Sequence, residues 1–198
     1  MQTLATQVLE HAAKLPEGTP LLAKELLHLG KRAAVDQVLS RLALRGSVLR
    51  AGRGVYVLPV ESRFGTRTPS AAKMVQALAS QRGETIVSHG AVAANALGLT
   101  TQVPIRAVYL TSGSSRRMKL GAQAIELRHA PFWQLMLPGQ AAGDVVRALA
   151  WLGPKKAGEA IGRLRSKLPA SALEEVASVR ARLPTWLAQE VSALVPRG

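Results

Sequence analysis

The chain of 198 residues contains no cysteine, few aromatic side chains and few acidic ones. Without cysteine it has no disulfide, no thiolate nucleophile and no Cys-ligated zinc site. No apolar run approaches the roughly 18 residues needed to span a bilayer, so we expect no contact with a membrane. The N-terminal segment lacks a basic stretch followed by an apolar one. We therefore expect no signal peptide and a cytoplasmic location.

Basic residues dominate the charged side chains. The chain has 26 Lys and Arg against 12 Asp and Glu, a formal net charge of +14, and 47% hydrophobic residues. The basic excess is +4 over residues 1–60, +6 over 61–130 and +4 over 131–198, so it is not confined to a tail. A chain that can form cores and carries this charge is expected to bind a polyanion, and nucleic acid is the main candidate.

The first 60 residues predict three helices followed by a hairpin. Thr3 is placed to cap the first helix, the second covers Leu21–Leu27, and the third runs from about Lys31 to Arg45. Two β-rich runs then flank the glycine-containing segment 51–54. This order is typical of a winged helix-turn-helix, in which the third helix enters the major groove and the wing contacts the backbone or the minor groove.

The third helix and the hairpin carry six basic residues and one acidic residue, Asp36. Gln37 and Arg41 lie one turn apart, and these side-chain types pair with adenine and guanine respectively. Solvation alone, without base contact, is the alternative for each side chain. The predicted DNA-binding residues are Lys31, Arg32, Gln37, Ser40, Arg41, Arg45, Arg50 and Arg53.

The remaining chain predicts a polar linker at 61–68 and a second domain at 69–198. In that domain Thr68 caps a helix begun by Pro69, and strands are expected at 85–87, 105–111, 118–120 and 123–129. Four helices follow, at 144–152, 154–168, 171–183 and 186–194. The third of them begins with a capping box at Ser171 and Glu174. The predicted fold class is therefore α+β: an N-terminal winged helix-turn-helix, then a small α+β domain with a helical C-terminal extension.

A loop rich in Ser and Arg between two of these strands is the best candidate for an anion site outside the first domain. Hydroxyl and guanidinium groups suit a phosphate, although the segment lacks the glycine and lysine frame of a nucleoside triphosphate loop. A flexible hairpin loop is the simpler interpretation. The candidate phosphate contacts are Ser114, Ser115, Arg116 and Arg117.

Catalytic and metal-binding patterns are sparse. No two of the four histidines have the i, i+4 spacing of a helical metal site, and no pair of acidic residues suits a magnesium site. His89 precedes a predicted helix, where a cap or a core contact is expected. We therefore predict no enzyme activity, no metal and no cofactor.

Two strings in the middle of the chain carry a family resemblance. They are residues 88–104 (SHGAVAANALGLTTQVP) and 108–113 (VYLTSG), the second followed by Arg116 and the strand IELRH. The wing residues Arg53, Gly54 and Tyr56 add to the pattern. Over roughly residues 5–135 the chain resembles the AbiEi-like type IV antitoxin family of abortive-infection systems, as a short branch of it.

The resemblance implies a toxin–antitoxin role. Such antitoxins pair a winged-helix domain with an antitoxin domain and are encoded beside a nucleotidyltransferase-like toxin. The expected function is that of an antitoxin and autorepressor that binds repeats in its own promoter as a monomer or weak dimer. The alternatives are an RNA-binding or toxin-binding module in which the winged helix is a scaffold, or a solitary transcriptional regulator.

Overall fold

The computed structural model describes residues 2–194, which form a mixed α+β protein. The chain divides into two compact units. The first unit comprises the residues up to Glu84 together with Arg116–Glu126, and the second comprises Thr85–Ser115 and the residues from Leu127 onward. This division does not follow the predicted segments 1–60, 61–68 and 69–198, because the first unit includes a segment that returns after residue 115.

The first unit opens with helix α1, Leu4–Ala13. The predicted cap is confirmed: Thr3 Oγ1 accepts a hydrogen bond from the Thr6 N–H at 3.2 Å. The predicted helix Leu21–Leu27 is wrong. Strand β1 occupies Pro20–Leu21, and only Ala23–Leu26 forms a short 3₁₀ helix. The reason is non-local, since β1 hydrogen-bonds to a strand more than thirty residues further along the chain.

The next elements are helix α2, Arg32–Leu44, and the strands β2, Leu49–Gly52, and β3, Val55–Val57. They match the predicted third helix and hairpin within a few residues. The three strands form an antiparallel sheet in the order β1-β3-β2. Side chains from α1, β1, the 3₁₀ helix, α2 and β3 build the core beneath it: Val8, Leu21, Leu26, Val35, Leu39 and Tyr56.

The predicted linker contains a second hairpin. Its strands are β4, Val60–Ser62, and β5, Gly65–Arg67, and its residues from Glu61 onward are exposed. Helix α3 follows at Ala71–Arg82 with Ser70 as its N-cap, so the predicted start at Pro69 with a Thr68 cap is wrong. Pro69 is buried, and the chain becomes helical two residues later than the proline suggested.

A salt-bridge cluster connects the loop after α1 to this region. The Glu17 carboxylate accepts from Arg67 Nη1 at 3.0 Å and from Lys73 Nζ at 2.8 Å. The Lys73 ammonium, then the Arg67 guanidinium, lower the pKa of Glu17 from 4.5 to about 2. The first unit is completed by strand β8, Arg116–Leu120, and by the first residues of β9, Gln123–His129.

The second unit begins with strand β6, Ile86–Ser88, helix α4, Gly90–Ala96, and strand β7, Ala107–Thr111. β6 and β7 pair antiparallel with Val87 opposite Leu110, and β7 lies between β6 and β9. The predicted capping role of His89 is confirmed, since its Nδ1 accepts from the Ala91 N–H at 3.2 Å.

Five helices and a 3₁₀ turn follow, around a core formed mainly by Val145, Leu149, Ile161, Leu164 and Leu187. The predicted capping box is wrong, because the third long helix of this set starts at Ala170 with Pro169 as its N-cap. The elements are α5 (Phe132–Leu135), α6 (Ala141–Leu152), α7 (Pro154–Lys167), α8 (Ala170–Ser178), the 3₁₀ turn Arg180–Arg182 and α9 (Thr185–Ser192).

Arg147 is a charged side chain at the centre of the second unit, only 2% exposed. Its Nη2 donates to Asp144 Oδ1 at 2.9 Å, and its Nη1 donates to the carbonyl oxygens of Met136 at 3.1 Å and Gln134 at 3.3 Å. The guanidinium thus holds the C-terminal end of α5 and the next residue against α6, and these contacts compensate for part of its lost hydration, since Nε is buried without a partner in the described chain.

Over the described residues, no helix has the length and apolar character of a membrane span.

Candidate nucleic-acid interface

Helix α2 has one buried and one exposed face. Val35, Leu39 and Leu42 are buried in the core of the first unit. All six predicted contact residues on or beside α2 are exposed, as the helical period required. They are Lys31, Arg32, Gln37, Ser40, Arg41 and Arg45.

Most of the basic side chains of this surface have no acidic partner. Arg32 is the exception, because its Nε donates to Asp36 Oδ2 at 2.8 Å within one helical turn. About half of the surface of each side chain is accessible to solvent, and salt bridges this exposed contribute little to stability. Among residues 2–194 the other cations make no salt bridge, and their charge is open to an external anion: Lys31, Arg41, Arg45, Arg50 and Arg53.

The first turn of α2 adds backbone donors to this charge. Its N-cap is Lys31, in an extended conformation, and no side chain caps the helix there. The first N–H groups of α2 have no acceptor within the helix, and they lie at the positive end of its dipole.

The hairpin β2–β3 presents the remaining predicted contacts. Arg50 is exposed on β2 opposite the buried Tyr56, and Arg53 is exposed in the turn. Gly54 completes that turn with φ +67°, a left-handed conformation that a side chain disfavours. The buried face of the hairpin therefore anchors it, while its arginines stay in solvent.

The predicted Ser–Arg phosphate loop, residues 114–117, is divided between the two units. Ser114 and Ser115 belong to the second unit and Arg116 and Arg117 to the first. Ser115 Oγ accepts from the His129 N–H at 2.8 Å, so this hydroxyl takes part in the local fold.

The two arginines of that segment lie in strand β8 rather than in a loop. Arg116 Nη2 donates to Glu84 Oε2 at 2.7 Å, and both side chains are mostly buried. Arg117 is exposed and makes no salt bridge within the described chain. The sequence left two interpretations, a phosphate-binding loop and a flexible hairpin loop. Arg116 instead lies in a strand, and its mostly buried pair with Glu84 is a structural contact.

A polar pocket of about 410 Å³ lies within the first unit, and sequence reasoning missed two of its residues. Lys24, in the 3₁₀ helix, and Arg82, at the end of α3, line it together with Arg32 and Arg53. No local pattern indicates this grouping, because the four residues come from segments far apart in the sequence.

The second unit contains an apolar groove of about 480 Å³ between α4 and the segment before β7. Val103 and Ile105 in its lining are 75% and 100% exposed. Arg106 and Arg128 also line the groove. A surface with exposed aliphatic side chains beside guanidinium groups suits a partner that has both apolar and acidic groups.

No group of three or more His, Asp or Glu side chains that could hold a metal ion occurs within residues 2–194. Two histidines do meet, His11 and His28, with ring centroids 5.1 Å apart and a tilted arrangement. His28 Nδ1 also lies 2.9 Å from the Glu25 carbonyl oxygen. These contacts fit ring packing at the surface of the first unit.

The fold and this site define a class: a mixed α+β protein with two compact units, in which the first exposes a basic helix and hairpin. The chain belongs to a family of unknown function, DUF6088, whose model matches residues 7–170. That match includes every predicted contact residue. No curated protein and no solved structure matches the chain.

Proposed function

We propose that this protein is a winged-helix DNA-binding protein that represses transcription from its own promoter. Support for the winged helix comes from the element order α1, β1, 3₁₀ helix, α2, β2, β3 and from the sheet order β1-β3-β2. In this arrangement α2 is the recognition helix and the turn at Arg53 is the wing tip. We further propose that the protein binds repeated sites in its promoter, as the AbiEi-like resemblance implies.

One observation carries the proposal: apart from Arg32, which pairs with Asp36, the exposed cations of α2 and the wing have no acidic partner in the described chain. Their predicted roles differ. Gln37 and Arg41 read base edges, whereas Arg50 and Arg53 contact phosphates. Ser40 has one donor and two acceptors and can bond to a base or to the backbone.

The test is binding of fluorescently labelled promoter duplex, followed by anisotropy at several salt concentrations. We expect Arg32→Ala with Arg41→Ala to weaken binding at least about tenfold, because loss of Arg41, a predicted base contact, costs about 1–3 kcal/mol and Arg32 is a predicted phosphate contact at the start of α2. The plot of log K against log salt should flatten by about 0.9 for each phosphate that the variant no longer neutralises.

The matched control is Arg165→Ala with Arg180→Ala, which removes the same charge from exposed positions of the second unit. This variant should bind almost as the parent does. Unchanged binding by the α2 variant, or tighter binding of structured RNA than of duplex at the same salt, would contradict DNA recognition by α2.

A second candidate function is the binding of a protein partner through the second unit, and the apolar groove favours it. Under this proposal the protein is the antitoxin of a nucleotidyltransferase-like toxin encoded nearby. Exposed Val103 and Ile105 would become buried on binding, and Arg106 would face acidic side chains of the toxin.

Co-purification with the product of an adjacent nucleotidyltransferase-like gene tests this. Ile105→Glu should abolish co-purification, because it places a carboxylate in the apolar lining of the groove. Phe132→Glu is the control, since Phe132 is 68% exposed in the same unit and does not line the groove. Equal loss in both variants, or none in Ile105→Glu, would contradict docking in the groove.

A further inference from the structure

The polar pocket of the first unit gathers cations from four separate segments. Lys24 comes from the 3₁₀ helix, Arg32 from α2, Arg53 from the wing turn and Arg82 from the last turn of α3. Its volume of about 410 Å³ is that of a site for a small group. Like charges brought to one place repel each other, so packing alone does not account for this arrangement.

The one carboxylate in the pocket lining is already paired. Glu84, the carboxylate in the lining, accepts from Arg116 at 2.7 Å. Asp36 pairs with Arg32. Lys24, Arg53 and Arg82 have no acidic partner among residues 2–194. The pocket therefore keeps a positive charge that the described chain does not balance.

Lys24 is oriented without being neutralised. Its Nζ donates to the Gln81 carbonyl oxygen at 3.3 Å, a neutral partner that leaves the ammonium charge intact. Gln81 is fixed in turn, because its Nε2 donates to the Pro20 carbonyl oxygen at 2.9 Å and to Glu25 Oε2 at 2.7 Å. One cation of the pocket is thus held in position by the fold, with donors remaining for an anion.

We propose that this pocket binds a phosphate group, supplied by the backbone of duplex DNA. Guanidinium and ammonium donors from different directions match the oxygens of a phosphodiester. The inference rests on the proposed function and adds Lys24 and Arg82 to the interface. The phosphate would sit between the recognition helix and the wing, and would fix the register of both on the duplex.

Salt-dependent binding of the promoter duplex to the full-length protein tests the pocket. Lys24→Gln with Arg82→Gln should lower affinity at least tenfold and flatten the log K against log salt slope by about 0.9, the change expected when one phosphate is no longer bound. The charge-preserving variant Lys24→Arg with Arg82→Lys should have the same log K against log salt slope as the parent protein.

The matched control removes two exposed cations from the first unit outside the pocket, as Lys14→Gln with Arg63→Gln. It should keep the parental slope. An equal change of slope in the control, or no change in the pocket variant, would overturn the inference. Circular dichroism melting of each variant checks that the fold is intact.

A second arm separates this inference from the proposed function. If the parent protein does not bind duplex DNA, the proposed function fails and the DNA source of the phosphate fails with it. Titration with inorganic phosphate, followed by the NMR signals of the arginine Nε–H groups, then tests the pocket chemistry. Saturable binding that Lys24→Gln with Arg82→Gln abolishes supports a site for a free phosphate group, and absence of such binding overturns the pocket altogether.

Discussion

Two exposed arginines of the first unit contrast with one buried arginine of the second. In the first, Arg41 and Arg53 stand in solvent, and no acidic side chain of the described chain pairs with them. In the second, Arg147 is 2% exposed, and its guanidinium donates to a carboxylate and two carbonyl oxygens. The difference shows that composition alone does not identify functional charge. Burial with partners makes a cation structural, and exposure without them leaves it available to a ligand.

The exposed apolar surface gives the complementary comparison. The groove of the second unit has Val103 and Ile105 in solvent, whereas the predicted interface of the first unit is polar. The proposed partners differ accordingly, with a polyanion for the first unit and a protein surface for the second. The following variants test whether these roles are separate.

The largest effect is expected from Arg147→Ala. It leaves the carbonyl oxygens of Gln134 and Met136 without this donor and Asp144 without its charge partner, so we expect a loss of about 3 kcal/mol in stability. Arg163→Ala, which breaks an exposed pair with Glu159, should cost less than about 0.5 kcal/mol. Thermal unfolding measures both changes.

The DNA affinity of Arg147→Ala tests whether this buried arginine contributes to binding. At temperatures at which the variant remains folded, its affinity for the promoter duplex should equal that of the parent. A large drop in affinity with the fold intact would mean that the separation between structural and binding arginines is wrong.

A smaller loss is expected from Gly90→Ala. The added Cβ would overlap the Arg147 carbonyl oxygen and Trp151 Cβ, because α4 packs closely on α6. Overpacking of this kind costs about 1–3 kcal/mol. Gly162→Ala is the control: nothing lies within 4 Å of its Cβ position on α7, and alanine should stabilise the helix by up to about 1 kcal/mol. Chemical denaturation of both variants distinguishes close packing from helix propensity.

The smallest effect concerns acid stability of the first unit. Because the folded-state pKa of Glu17 is lowered from 4.5 to about 2, its contribution is full above pH 4.5 and is lost as the pH falls towards 2. Glu17→Gln should remove this part of the pH dependence, so the variant and the parent should differ less at pH 3 than at pH 6. Melting temperatures across this range provide the measurement. A constant difference at every pH would contradict the assigned role of the carboxylate.

Elements with strong local signals were predictable from the sequence. The apolar period of α2 gave its limits to within one residue, and β9 has the predicted limits of 123–129. The exposed positions of Gln37, Ser40 and Arg41 follow from the same period. In each case residues close in sequence decide the conformation.

Elements decided by distant residues were not predictable. Leu21, predicted as the start of a helix, lies in a strand with Pro20 because the two residues pair with Tyr56 and Val57. Ser171 and Glu174 have the spacing of a capping box but lie inside a helix that begins at Ala170. Residue spacing alone therefore matches a capping box without determining the residue at which the helix begins.

The same distinction applies to the candidate sites. Residues on one helix or hairpin could be assigned to the α2 and wing surface by their spacing. Lys24 and Arg82 could not, because only the folded chain brings them beside Arg32 and Arg53. A pocket built from four segments requires the tertiary structure.

The first unit is discontinuous in sequence, so its parts are not synthesised one directly after the other. Its last segment, Arg116–Glu126, is synthesised only after residues 85–115 of the second unit. The segment supplies Met118 and Leu120 as buried side chains and Arg116 as the partner of Glu84. During translation, the basic helix and hairpin therefore emerge from the ribosome before the unit that contains them can be completed. A gene fragment ending near residue 84 would encode an unfinished unit.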